Sequence, residues 1–415
     1  MKKFTTIILG AALMFAAAGQ VKASTLETSG QFRARYWYAN NFKFGDTNLL
    51  DDSMDWWDQR LRLNTTWKVT DTVKVITRAD ILENYWQTGQ PPLWSNSDAS
   101  KEIDFDWAYA TFDVGPVVAS AGKMDVTWGP GIYAAADNRY RLKLATKFDK
   151  ISTSIAWDVM AETFDSGTKD DDNGFSVTIA SPIADWNVGF MGAYRTNGYI
   201  DGSLADTRDY DISFFAGDVW ATGAFGPVKF NGEFAYLSGE REQPGEDQDL
   251  TGMIAYAGAF MPAGPVNVGL EFAYAAGNDP DSSDENEGAL PQDYQGPFNS
   301  FILFTPFDFS GWQSNYEADT GVSNALALKG SVTYAATQKL SLIGAVIWAQ
   351  ADEKQLDRRD DDMGVEFNGL ARYALNENVT LQAGVGYLSA GDYFKVADFD
   401  VNNPLVVTAH AIVTF

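Results

Sequence analysis

The chain has 415 residues, 30 Lys and Arg against 56 Asp and Glu for a formal charge of −26, and no cysteine. The acidic balance argues against nucleic acid as a partner, because phosphate binding is built on basic patches; the lack of cysteine excludes disulfides, thiolate metal sites, lipidated cysteine and covalently attached haem. Aromatics at 14% and 37 glycines suit many short amphipathic strands and frequent turns better than helices.

Met1 to Ala23 opens with Lys2 and Lys3, continues with an apolar run from Ile7 to Ala18, and ends in the small-residue exit Val21-Lys22-Ala23. This is the pattern of a cleaved secretory signal, and the apolar run is shorter than the roughly 20 residues a membrane helix needs. Residues 24–415 then form one domain, since no linker or shift of composition divides them. Period-two alternation predicts eighteen strands. The first thirteen lie at about 27–38, 55–69, 72–86, 104–114, 117–127, 139–148, 151–161, 174–180, 185–195, 210–225, 228–239, 248–261 and 266–276; the last five lie at 322–336, 339–350, 361–375, 378–389 and 404–415.

Tight connections follow the even-numbered strands: Thr70-Asp71, Gly115-Pro116, Asp149-Lys150, Ser181-Pro182, Gly226-Pro227, Pro262 to Pro265, Thr337-Gln338 and Asn376-Glu377. Long, polar, acidic ones follow the odd-numbered strands, including 39–54, 87–103, 162–173 and 277–321. An even strand number with short turns on one side and long loops on the other is the signature of an all-β, transmembrane antiparallel barrel of the outer membrane, with periplasmic turns and extracellular loops. Closure is required physically, because lipid offers no partner for an unpaired strand edge. Aromatics near strand ends read as interfacial girdles: Tyr36, Trp37, Tyr38, Trp56, Trp57, Tyr85, Trp86, Tyr194, Tyr236, Tyr274, Trp348 and Tyr387. The closing segment Leu405 to Phe415 alternates apolar with small or polar residues up to a terminal aromatic, as the last strand of such barrels does.

Parity separates the two faces. Phe32, Ala34, Tyr36 and Tyr38 turn to lipid and leave Arg33 and Arg35 inside; Leu61, Leu63 and Trp67 turn out and leave Arg60 and Arg62 inside. A lipid-facing Arg or Lys at mid-membrane costs roughly 2–4 kcal/mol, which fixes the choice. Arg78, Lys123, Arg139, Arg141 and Lys143 extend the expected pore lining, with Asp104 and Asp106 as inward counter-charges. Two readings stay open: a charge-compensated wall that keeps the lumen wet, or a basic ladder that favours anions. The 277–321 insertion starts as an acidic solvated loop, 279–287, and then turns apolar, carrying Phe298, Phe301, Phe304 and Phe307. That apolar part is expected to fold into the mouth as a constriction, with a flap or protomer contact as the alternative.

The run from Gly122 to Gly131, the following Asp137-Asn138-Arg139, and the early strand Gln59-Arg60-Leu61-Arg62-Leu63 resemble segments of the alginate-export porin family. The resemblance implies an eighteen-stranded outer-membrane barrel with an arginine-rich lumen that conducts an anionic polysaccharide, lined here by Arg60, Arg62, Lys123, Arg139 and Arg141. The acidic external loops and inward carboxylates depart from that family, so the polysaccharide itself is not carried over.

The expected function is therefore a water-filled porin for passive diffusion of small hydrophilic, anion-leaning solutes, without cofactor or metal. Its surroundings would be outer-membrane lipid and lipopolysaccharide, and homo-oligomerisation is left open. Two alternatives remain. One is a scaffold sheathing an electron-transfer partner; the other is a lumenal lipid hydrolase using His410, the only histidine, with Ser29 or Ser389. No G-x-S-x-G motif supports the hydrolase, and the acidic runs 170–172, 279–287 and 360–362 lack EF-hand spacing.

Overall fold

The computed structural model describes residues 24–41, 53–86, 103–135, 137–161, 172–200, 209–242, 247–290, 296–298, 300–304, 321–354, 358, 360–395 and 402–415. The leader lies outside them. The strands are β1 (Thr25–Asn40), β2 (Met54–Lys68), β3 (Val73–Tyr85), β4 (Ile103–Val114), β5 (Val117–Val126), β6 (Asp137–Phe148), β7 (Ile151–Ala161), β8 (Asp172–Ile183), β9 (Trp186–Ile200) and β10 (Asp209–Phe225). They continue as β11 (Val228–Glu242), β12 (Gln248–Ala263), β13 (Val266–Ala275), β14 (Glu285–Asn286), β15 (Ala325–Ala335), β16 (Leu340–Ala351), β17 (Asp362–Ala374), β18 (Val379–Ala390) and β19 (Leu405–Thr414).

Apart from the two-residue β14, each strand pairs antiparallel with its chain neighbours, β13 runs directly to β15, and β1 pairs with both β2 and β19. The sheet therefore closes into a barrel of eighteen wall strands with no free edge. At the seam Phe415 and Gly30 exchange backbone hydrogen bonds of 2.8 and 3.0 Å. The Phe415 ring lies across Gly30, where a Cβ would come within 2.5 Å of it.

All eighteen predicted strands are present. Two turn positions differ from expectation: Ser181-Pro182 and Pro262 lie within β8 and β12, and the chain reverses at Ala184-Asp185 and Gly264-Pro265. The reversal needs a first central residue with positive φ, supplied by Gly115 (63°), Asp149 (52°), Ala184 (52°), Gly226 (58°) and Gly264 (63°). Pro182 and Pro262 sit instead near the strand ends, where a missing N–H is tolerated.

The wall has two chemically distinct faces. Phe105, Leu142, Ile155, Phe175, Phe190, Phe234, Leu270, Val346 and Phe367 are exposed on the outside, an apolar exterior around a charged interior, which is the solvent pattern of a barrel set in a bacterial outer membrane. At the long-loop end of β1 to β3 Tyr36 lies tilted against Trp57, and Trp57 stacks on Trp86, with centroids 5.1 and 5.0 Å apart. Trp37 and Trp56 correct the girdle expectation. They are 2% and 7% exposed and stack on the inner face, because they share parity with Arg35 and Asp58 rather than with Tyr36 and Trp57.

The acidic stretch 279–287 also differs from a freely solvated loop. Within it β14 pairs in parallel with Asp249 and Leu250 of β12, filling the ladder above the point where β13 ends. Leu290, just beyond, is buried against Gly252.

Candidate functional site

The inner faces of β1 to β4 carry a cross-strand lattice of arginines and carboxylates. Arg35 Nε donates to both oxygens of Asp58 at 2.7 and 3.0 Å, and Trp37 Nε1 donates to the same carboxylate at 3.1 Å. Arg62 binds Asp80 through two donors at 2.6 Å and reaches Asp106 at 2.6 Å. A bulge after Arg78 turns both Asp106 and Trp107 inward. Trp107 lies under the Arg78 guanidinium, 3.4 Å from the ring centroid. Asp104 stands across from Asp80.

Arg33 and Arg60 are differently placed. They face one another directly in the register, their nearest carboxylates are at 3.6–3.8 Å, and the Nε atom of each is buried without a hydrogen bond. Two like charges held side by side with only distant partners are incompletely neutralised.

A second group lies on β5 to β9. Arg139 pairs with Asp137 at 2.5 Å and with Asp158 at 3.4 Å; Arg141 grips Asp158 with two bonds of 2.5 and 2.6 Å. Both guanidiniums lie over Trp128, at 5.2 and 5.9 Å. Lys143 continues their row, across from Ser120 and Ala156. Lys123 departs from the inward expectation, because the register sets it opposite Tyr140, whose ring is 60% exposed on the outer face. Gly122 next to it has φ of +131° and lies so close to the Tyr109 backbone that no Cβ would fit.

The feature least visible in the sequence is a pair of connections that fold back into the barrel. Residues 127–135, between β5 and β6, cross to β11. There Glu233 accepts the N–H groups of Gly131, Ile132 and Tyr133 at 2.8–3.0 Å. Residues 300–304, from the long insertion, reach β17, where Glu366 accepts those of Phe301, Ile302 and Leu303 at 2.7–3.0 Å. Phe298 and Phe304 are buried, and Phe301 lies on Gly384 and Gly386 of β18; Phe307 lies outside the described residues. Ile132, Trp37, Trp56, Phe298, Ile302, Phe304, Leu388 and Val406 belong to one apolar cluster, so both segments pack inside the wall and share a core.

Glu233, Glu366, Asp218 and Glu271 were missed by the sequence reading, which counted inward acids only near the basic strands. The available signal was parity: each alternates with lipid-facing residues such as Val219, Phe234, Leu270 and Phe367.

His410 lies opposite Arg35 and Gln382, and its Nε2 is 2.6 Å from Thr408 Oγ1. Ser29 faces Asn64 and Ser389 faces Val365, so neither serine meets it and the hydrolase pairing does not form. Of the acidic runs, Asp172 is taken by Arg195. Among the described residues no cluster of three or more metal-binding side chains is assembled.

No protein-family model matches the chain, and no curated protein matches it in sequence. Solved structures do share its fold. OccK9 (OpdG) of Pseudomonas aeruginosa aligns with TM-score 0.58 at 11% identity, over 94% of this chain and 98% of that one. OccK8 (OprE) of the same organism gives 0.56 at 9% over 96% and 99%. A BenF-like porin from Pseudomonas fluorescens Pf-5 gives 0.56 at 10% over 94% and 99%. The fold of this chain is thus that of outer-membrane porins with an eighteen-stranded barrel; none of these structures is named as an alginate exporter.

Proposed function

We propose that the chain is an outer-membrane porin that conducts small hydrophilic solutes by passive diffusion, with a preference for anions. The carrying observation is the lumen itself: a closed barrel, apolar outside, whose inner wall presents arginines on β1 to β3 and β6 beside two inward-folded segments. Barrels of this strand number enclose an aqueous channel rather than a separate plug. Most of the arginines are neutralised by neighbouring carboxylates, so the preference rests on Arg33, Arg60 and Arg78 and on Lys143. Residues 127–135 and 300–304 act as the constriction that sets the pore radius.

An electron-transfer sheath is the weaker reading, because the chain's own segments occupy the inner face of β8 to β18 where such a partner would sit. Outer-membrane lipid and lipopolysaccharide surround the barrel, and self-association through its apolar exterior is a matter for the assembled protein.

Single-channel recording tests the proposal. Removal of residues 284–310 is expected to raise the conductance, and the intact channel in a salt gradient is expected to give a reversal potential on the anion side. Unchanged conductance in the deletion would remove the constriction role, and cation selectivity would remove the anion preference.

A further inference from the structure

Inward charge is unevenly partnered. Among the described residues most inward basic groups lie on β1 to β3, β6 and β9, beside carboxylates of β2, β3, β4, β7 and β8, with Lys329 on β15 beside Glu271. The strands β10, β11, β13 and β17 each contribute one buried carboxylate: Asp218, Glu233, Glu271 and Glu366. These four are 0%, 4%, 5% and 0% exposed, while the side chains of Arg33, Arg60, Arg62 and Arg139 keep 15–21% of their surface.

The carboxylates are hidden by identifiable groups. Glu233 and Glu366 are each capped by three successive backbone N–H groups of an inward-folded segment. Glu271 accepts the Tyr256 hydroxyl at 3.0 Å and pairs with Lys329 at 3.1 Å, and Lys329 lies 5.3 Å from the centre of the Phe298 ring. Asp218 stands opposite Met191, under a lid in which Trp128 and Ala134 of the folded segment pack on Met191 and Trp220. Both Asp218 oxygens lack a partner.

We propose that residues 127–135, Phe298 and residues 300–304 determine which ions pass by covering Asp218, Glu233 and Glu366 on β10, β11 and β17, leaving Arg33, Arg60 and Arg62 of β1 and β2 to face the water. The proposal rests on the porin reading and adds specificity-determining residues to it. Its physics is local. A carboxylate capped by convergent N–H dipoles and walled off by apolar side chains projects little field into the aqueous path, and charges exposed to the path act over about 8 Å at physiological salt. Uncovering Asp218, Glu233 and Glu366 would place three negative charges opposite the arginines and cancel the preference.

The absence of native cysteine makes thiol accessibility a direct test. Asp218→Cys leaves the Glu233 bonds in place, because Asp218 holds nothing. In lipid vesicles treated with a small cationic methanethiosulfonate and read by mass spectrometry, Arg33→Cys should be labelled readily. Asp218→Cys should be labelled at least about tenfold more slowly, since reaction waits for local opening. Adding Ile132→Asp, or Gly131→Val at a φ of +91°, should lift the segment and bring the two labelling rates together. Channels carrying Ile132→Asp alone should shift their reversal potential toward cations, and Glu233→Gln added to them should reverse part of that shift. Equal labelling of Asp218→Cys and Arg33→Cys in the otherwise native chain, or an unshifted potential in both loosened variants, overturns the proposal. Slow Asp218→Cys labelling with no current from any variant would sustain the covering and sink the channel reading instead.

Discussion

Arg141 and Asp158 illustrate what a buried ion pair does in this wall: with 4% and 2% of their side-chain surface exposed, they hold each other by two short bonds, and Arg139 is a more distant second partner of Asp158 at 3.4 Å. Arg141→Ala should cost about 3 kcal/mol, the lower end of the penalty for breaking a buried pair because Arg139 remains, seen as a lower urea midpoint for unfolding from vesicles. Asp218 is the opposite case, a buried carboxylate with no partner to lose. Asp218→Ala should be neutral or stabilising by up to about 2 kcal/mol in the same assay; a loss comparable to that of Arg141→Ala would mean that Asp218 does hold a partner.

At the scale of elements, the strands were legible because lipid outside and water inside impose strict alternation, and because turn chemistry marks the ends. The inward-folded segments were only half legible. The apolar run around Phe298 to Phe304 announced that it needed cover, but 127–135 contains Gly129, Pro130 and Gly131 and reads as an ordinary external loop; its destination is set by Glu233, 102 residues away from Gly131. No local period encodes such a contact. Glycine on the receiving wall is part of the fit. A Cβ at Gly386 would lie 2.5 Å from Phe301 Cβ, so Gly386→Val should push the 300–304 segment toward the lumen axis and change single-channel conductance. Phe301→Ala in the same chain should restore much of the native value. Glu366→Ala should loosen the same segment and increase open-channel noise, since three N–H groups lose their acceptor; an unaltered record would show that packing alone holds it.

For the whole molecule, closure and two-sidedness carry the account. Parity puts the basic residues of β1 to β3 and β6 on one face of their strands, and Lys123 departs from it where the register sets it opposite Tyr140. Pairing across the wall is expected from Asp104 and Asp106, but the expectation omits Asp58 and Asp158, although both stand directly across from their arginines. The bulge after Arg78 that turns Trp107 inward beside Asp106 is not revealed by a period of two. The wall is consequently more neutral than a count of arginines suggests, and the proposed anion preference would rest on Arg33, Arg60, Arg78 and Lys143. Arg33→Gln with Arg60→Gln should therefore move the reversal potential toward cations more than Arg35→Gln with Arg62→Gln does, provided both double variants insert. The most direct measurement of the central claim is current through single barrels of the purified protein in a planar bilayer. Discrete, long-lived conductance steps are expected from barrels whose insertion is verified by protease protection. Inserted barrels that pass no ions would contradict the account.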